Sequence, residues 1–516
     1  MTTMPGIHTL RFVIDDVSLP FLLLFGTIWI LTGLYTAATV DARGRARLFA
    51  YFIPSAIGGI GVAAAADAIS FYLCFALMAI PAWGLIVHSG SAESRRAGAI
   101  YLTMTVIGEA LLLAALVLLA VESGTTLLAG YPTVIADLPS APLITGLVLA
   151  MIALKVGTLP FSGVLPLSYT YTPAGSAAAL AGASAKVGAL AMLRLLPAGG
   201  MAAEWSSAVM LIGLATAFGA AVLGVLTTHP RAVLGYSSAS QLGLILIAAG
   251  AGLSDPDVAV LAAGAVVAFS LHHGLAKAAL VLGDDVVGRL QGRPRTAALV
   301  ALALPALALV GAPLTSGFVA KYALKDAVHA LSGPVPHLVY VLLSWAAVGT
   351  AALMVRFFVL SARQDRIETR SAGVPVALWS ALLALVAGAA WLWPASWNDH
   401  AAEAAFDPAS IWTALWPGLI ALAGWLLLTR LARSRGTSAL VVAPGDVLVT
   451  AADAIERYGR ADDPAGGPTA DAPEKTPVDT SADPLARAEQ AYLRWTVAAT
   501  TFVLLGGIMV LLAHSR

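Results

Sequence analysis

The sequence predicts an all-α polytopic membrane protein of about fourteen transmembrane helices, with two inverted five-helix repeats that each contain a broken helix. Three observations lead there. The 516 residues are 59% hydrophobic and 11% charged, with a mean hydropathy of +0.85, whereas soluble domains carry about 25% charged residues. Arginine gathers in every second loop. Two long apolar spans break at a proline in corresponding places, and each carries a lysine.

A hydrocarbon core needs about 20 apolar residues per helix. On that rule the spans fall at 19–37, 48–65, 67–89, 98–121, 141–162, 175–197, 205–227, 234–252, 256–283, 297–330, 335–361, 373–394, 409–430 and 491–513. The stretch 297–330 is too long for one crossing and is interrupted at "GAPLT", so it reads as one broken helix. The basic loops hold Arg43, Arg45 and Arg47; Arg95 and Arg96; Arg231; Arg289, Arg293 and Arg295; Arg363, Arg366 and Arg370; and Arg430, Arg433 and Arg435. The alternate loops carry no base. Cytoplasmic loops are enriched in Lys and Arg, so the basic loops are expected inside and both termini outside. The segment 436–490 is expected on the cytoplasmic side, first as a run along the membrane surface and then as a Pro- and Asp-rich disordered linker.

This divides the chain into an N-terminal segment with the first helix (1–47), a five-helix repeat (48–197), its inverted counterpart (205–361), two further helices (373–430), the linker (436–490) and a C-terminal helix (491–513). Five is odd, so the second set lies upside down relative to the first. Its broken helix, "APLTSG", answers to "TLPFSG" in the first. Paired interrupted helices in inverted repeats point to a transport site. Broken backbone survives at that depth only where it lines protein or a wet cavity.

Six of the 29 basic side chains are lysine, and Lys155, Lys186, Lys277 and Lys321 lie inside spans. A charge at bilayer depth costs roughly 2.5–3.5 kcal/mol on insertion scales. Arginine stays protonated in proteins, whereas a desolvated lysine can give up its proton. The row therefore suits proton exchange better than anchoring. Glu109 lies mid-span in "VIGEALLL", and His272 and His273 precede Lys277 in "LHHGLAKAALVL". His273 and Lys277, at i and i+4, share a helix face, and histidine titrates nearest neutral pH.

Other classes are excluded. The formal net charge of +0 offers nothing to nucleic acid. The single cysteine, Cys74, cannot hold an iron–sulfur cluster or a cysteine-based zinc site. No nucleotide-binding glycine motif stands in the right context, and the N-terminus lacks the pattern of a cleavable leader. No cofactor or metal is expected, and no catalysis by the chain alone.

The segments "FVIDDVSLPFLLL", "ALKVGTLPFSGVLP", "ASAKVGALAMLR", "RAVLGYSSASQLG", "HHGLAKAALVL" and "GAPLTSGFVAKYAL" together resemble the antiporter-like, proton-conducting membrane subunits of respiratory complex I, membrane-bound hydrogenases and multi-subunit cation/proton antiporters. The resemblance covers about residues 13–361. It implies a polar axis at mid-membrane: Lys155 as the switching lysine of a first half-channel, Lys186 and His273/Lys277 as the connection, and Lys321 as the terminal residue of a second. The family's glutamate position falls on Ala76 in "FYLCFALMAIPAWGLI", which makes Glu109 the candidate partner of Lys155. The implied protein is a proton- or cation-translocating subunit in the bacterial cytoplasmic membrane. Its partners would be the lipid bilayer, other membrane subunits, and redox or soluble subunits on the cytoplasmic side. Two alternatives stay open: the membrane half of a proton-driven uptake system, for instance for inorganic carbon, and a structural subunit with a degenerate channel.

Overall fold

The computed structural model describes residues 10–200, 203–364, 372–389, 404, 406–435, 444–445 and 449. The chain divides into a unit of residues 11–450 and a second unit made of 1–10 and 451–516. The expected helix at 491–513 lies outside the described residues, as does the 436–490 segment apart from residues 444, 445 and 449. Among the described residues every extended element is a helix, and the two β-bridges, Phe12 with Ala65 and Asp67 with Leu127, are isolated.

The helices are α1 (Ser18–Thr39), α2 (Ala42–Ala64), α3 (Ala68–Ile86), α4 (Ala92–Ser123), α5 (Ala141–Val156), α6 (Val164–Tyr171), α7 (Ala174–Gly182), α8 (Val187–Leu195), α9 (Ala203–Leu226), α10 (Pro230–Gly252), α11 (Pro256–Arg289), α12 (Gly292–Ala301), α13 (Ala303–Val310), α14 (Ser316–His329), α15 (Pro334–Arg363), α16 (Gly373–Gly388) and α17 (Pro408–Arg435). Short helical turns fill 128–137. Among the described residues eleven segments are long and apolar enough to cross a membrane, or twelve with α5 and the 161–171 segment taken as one bent span. The protein is a multi-pass integral membrane protein.

Helix starts follow from capping. The Asp67 carboxylate accepts the N–H groups of Ile69 and Ser70, both at 2.9 Å, and so satisfies two orphan donors of α3. Its second oxygen takes the N–H of Arg11 at 3.0 Å and ties the N-terminal stretch to that helix. Asp15 accepts from Arg194 at 2.7 Å. Burial alone would raise the Asp15 carboxyl, but hydrogen bonds from Arg194 and Ser18 hold it below the ordinary carboxylate range.

Small residues let the helices approach closely. A Cβ on Gly213 of α9 would sit 2.6 Å from the Gly243 carbonyl of α10, and a Cβ on Gly243 would meet the Gly213 carbonyl at the same distance. The two backbones touch there, as small-residue crossings in membranes do. Ser240 Oγ adds a rung to the carbonyl of Ala217 at 2.8 Å. Helix α10 is buried along nearly its whole length and forms the centre of this unit. At the periphery α17 exposes Trp412, Leu415, Leu419 and Leu427, an apolar face fit for lipid or a partner.

One end of the bundle holds a buried ionic cluster. Arg231 lies 3.5 Å from both Asp284 and Asp285, and Arg289 lies 2.5 Å from Asp285. Tyr35 donates to Asp285 at 2.6 Å, and Ser361 to Asp284 at 2.7 Å. Helices α1, α10, α11 and α15 are joined at that point. Gly445 donates its N–H to Tyr236 Oη at 3.2 Å, and Arg96 donates to the Val449 carbonyl at 2.9 Å.

His229, between α9 and α10, caps α10 by accepting the Arg231 N–H on Nδ1 at 3.3 Å. Burial, with the Arg231 charge adding to it, lowers its imidazole to about 4. The folded protein therefore binds fewer protons here than the unfolded chain between about pH 4 and 6.5, and this contribution to stability is lost as pH falls through that window. The thermal midpoint in detergent should fall on acidification across it. His229→Asn keeps a capping acceptor without the titration, so its midpoint should fall less; identical declines would rule His229 out as a contributor.

Candidate functional site

The buried polar residues fall into two groups. The first sits where α5 ends. Gly157 takes a left-handed conformation (φ +71°), and its N–H and that of Thr158 both return to the Ala153 carbonyl at 3.1 and 3.0 Å. A residue with a Cβ adopts that backbone at a cost, which is why glycine stands there. The helix axis then bends by 43° into the 161–171 segment. The N–H of Leu159 is taken by Thr216 Oγ1 of α9 at 3.2 Å, so the break is satisfied within protein.

Lys155 lies in the last turn of α5, where a cation is favoured by the unpaired carbonyls of the helix end. Its Nζ stands 4.9 Å from the centroid of the Phe75 ring on α3, a cation–π arrangement. The stem passes Gly188 of α8, where a Cβ would meet Val156 Cγ2 at 2.9 Å and Lys155 Cγ only at the ordinary contact distance of 3.7 Å. Glu109, on α4, is 6% exposed and its Oε1 has no hydrogen-bond partner. It interacts with Lys155 electrostatically, but among the described residues the two make no ion pair within 4.0 Å. Glu109 thus acts on Lys155 from α4 through its charge rather than through a direct ion pair. Ala76 adjoins Phe75 and is buried, so α3 offers a ring in place of a carboxylate.

A cavity of about 50 Å³ opens beside Lys155, lined also by Tyr101, Thr105, Ser168, Tyr169 and Ser184. That is room for water among polar partners. Ser184 belongs to the second group, because the span 174–195 is itself interrupted. A 3₁₀ turn over Ser184–Lys186 separates α7 from α8. Lys186, fully buried, turns back to donate to the carbonyl of Ala181. No proline announces this break in the sequence.

The rest of the second group lies on α11 and α14. Lys277 is fully buried and donates to the Leu234 carbonyl of α10 at 2.9 Å. His273, also fully buried, has no hydrogen-bond partner on either ring nitrogen among the described residues. His272 Nδ1 lies 3.0 Å from Ser316 Oγ, at the start of α14. The charges of Lys186, Lys277 and Lys321 all act on His272, and those of Lys186 and Lys277 act on His273. Lys321 reaches from α14 to the Val310 carbonyl, 2.6 Å away, which the break after α13 leaves free. Gly311 (φ +89°) and Leu314 (φ +61°) carry the chain through that break in left-handed conformations.

Of the seven residues expected from the sequence, Glu109, Lys186, His272, His273 and Lys277 are buried and Lys155 and Lys321 partly so. Lys186, His272, His273, Lys277 and Lys321 form one electrostatically connected set, Glu109 and Lys155 form another, and the small cavity runs from Lys155 to Ser184 and Ala185, next to Lys186 in the chain. Sequence reasoning passed over Asp284 and Asp285, because the predicted span stopped at Gly283 whereas α11 runs on to Arg289. It also passed over Lys325, whose signal was its place one helical turn after Lys321. Among the described residues no group of three or more His, Cys, Asp or Glu could hold a metal ion.

Residues 65–345 match the family described as NADH:quinone oxidoreductase/Mrp antiporter, TM. The chain belongs to this family. It is 28% identical over 301 residues to NADH-quinone oxidoreductase subunit N of Ectopseudomonas mendocina, covering 54% of this chain and 59% of that protein. It is 26% identical over 288 residues to hydrogenase-4 component B of Escherichia coli, covering 52% of this chain and 43% of that protein. The match thus spans little more than half of one relative and less than half of the other. A chain of the Mrp complex from Dietzia sp. superposes with a TM-score of 0.70 at 20% identity, covering 96% of this chain and 57% of that one; at that identity the likeness shows the fold.

Proposed function

We propose that the protein is a proton-translocating membrane subunit of a larger energy-coupling complex in the bacterial inner membrane. One observation carries the reading. Lys186 and Lys277 are fully buried and bonded to carbonyl oxygens, with no carboxylate in an ion pair with either among the described residues. Structural lysines at depth are normally paired. Carbonyl contacts that hold an ammonium without neutralising it suit a site that gains and loses a proton.

In this reading the chain holds about fourteen spans, with inverted repeats at 48–197 and 205–361. The arginine-bearing end faces the cytoplasm. Glu109 and Lys155 form the loading pair of the first half-channel. The small cavity hands protons to Lys186, His273 and Lys277 relay them, and Lys321 releases them on the other side of the second break. His272, between Ser316 and the lysines, couples the relay to the second broken helix. Membrane subunits are the expected partners, and the energy comes from them.

The test uses the native host. The tagged chain, purified in mild detergent, should bring further membrane subunits with it; isolation alone would overturn the subunit reading. In inside-out vesicles the part of the acidification that depends on this chain should fall at least tenfold for Lys321→Ala, with the complex still assembled. Unchanged acidification would overturn the translocation reading.

A further inference from the structure

A cavity of about 290 Å³ lies beside Lys321 on the side away from the arginine cluster. Its polar lining includes, from α14 and α15, Lys321, Lys325, Asp326, His329, Tyr340 and Ser344. Lys321, Lys325 and His329 stand at i, i+4 and i+8, one above another on a single face. At 1.5 Å per residue the row covers about 12 Å, close to half of a hydrocarbon core about 30 Å thick. Lys325 Nζ donates to Ser344 Oγ at 2.8 Å. His329 is exposed at the far end, its ring centroid 5.1 Å from that of Tyr340. The loop beyond it, residues 330–333, carries no Lys or Arg.

The outer wall comes from a helix that lies outside both five-helix sets. Ser410, Thr413 and Ala414 of α17 line the cavity. Helix α17 is held against α15 by an edge-to-face pair, Trp345 and Trp416, with centroids 5.3 Å apart. Without α17 this side of α14 would face lipid, and two lysines and an aspartate would not be kept there.

We propose that this cavity is a water-filled vestibule open to the outside, and that Lys325 is a second proton-carrying lysine that takes the proton from Lys321 and passes it towards His329. The proposal rests on the translocation reading and deepens it by naming the exit. The step is a proton transfer along water: the Lys321 ammonium loses a proton, the Lys325 amine gains one and releases it to bulk water past His329. Like charges one turn apart repel, so a proton on Lys325 is driven outward when the next one reaches Lys321.

Because Cys74 is the single cysteine, Cys74→Ser gives a cysteine-free background. In it, Ala347→Cys and Ser410→Cys place thiols in the cavity wall. A charged, membrane-impermeant thiosulfonate should modify both at least tenfold faster from the outside of cells than from the cytoplasmic face of inside-out vesicles. Modification from the cytoplasmic face, or none at all in the assembled complex, would overturn the vestibule. Lys325→Arg keeps the charge and a donor for Ser344 but cannot release a proton. It should lose translocation at least tenfold, as Lys325→Gln does. If Lys325→Arg works normally, Lys325 is an anchor and the relay is wrong. Lys321→Ala separates the two readings: unchanged translocation there sinks the function, whereas loss there with unreactive wall thiols sinks this inference alone.

Discussion

Lys155→Arg abolishes chain-dependent proton translocation, a drop of at least tenfold, while the complex assembles and the protein keeps its thermal midpoint. The substitution preserves almost everything static about the site. A guanidinium still carries the charge favoured at the end of α5 and still stacks on the Phe75 ring. What arginine lacks is the ability to let go of its proton. Loss with assembly intact would isolate proton release as the function of Lys155. Glu109→Gln, which keeps the shape but removes the charge facing Lys155, should slow translocation less severely, because Lys155 still exchanges. Unchanged translocation in Lys155→Arg would leave the first half-channel without a role and favour a structural first repeat.

Gly317→Val should prevent assembly or lower the thermal midpoint by roughly 5 °C or more. Gly317 opens α14 directly against the end of α13. A Cβ there would overlap the carbonyl oxygen of Ala308 and stand 2.8 Å from His272 Cε1. The obstacle is backbone, so the two halves of the second broken helix would have to part. Overpacking a well-packed site costs about 1–3 kcal/mol even where side chains can give way. The shift would also pull Ser316 from His272 and move Lys321 relative to Val310. Detergent thermal stability and the yield of assembled complex measure the effect. A wild-type midpoint with normal yield would mean that the two half-helices can part at Gly317 without cost.

Much of this was legible in the sequence, for reasons that can be named. Lys155, Lys186, Lys277 and Lys321 stood out because charge is scarce at depth, and "GTLPFSG" and "GAPLTSG" stood out because proline and glycine interrupt helices. Family membership follows the same segments. What the sequence hid depends on neighbours far away in the chain. Asp284 and Asp285 looked like the end of a span; they are buried because Arg231, 53 residues before Asp284, and Arg289 neutralise them. The turn at Lys186 has no proline and is set by packing between α7 and α11. The cavity beside Lys321 needs α17, which hydropathy alone reads as one more span.

The contact between Gly213 and Gly243 bears on how such a protein could move. With each backbone seated against the other's carbonyl, α9 and α10 cannot slide past one another or rotate without lifting apart. They form a stator. Thr216, which holds the first break, and the Leu234 carbonyl, which holds Lys277, are both fixed to it. Three short joints, at 157–163, 183–186 and 311–315, interrupt regular helix hydrogen bonding around it. Each joint lies within a few residues of Lys155, Lys186 or Lys321. Charge transfer here would need no rocking of one half against the other, only local hinge motion beside the lysine that is changing its proton.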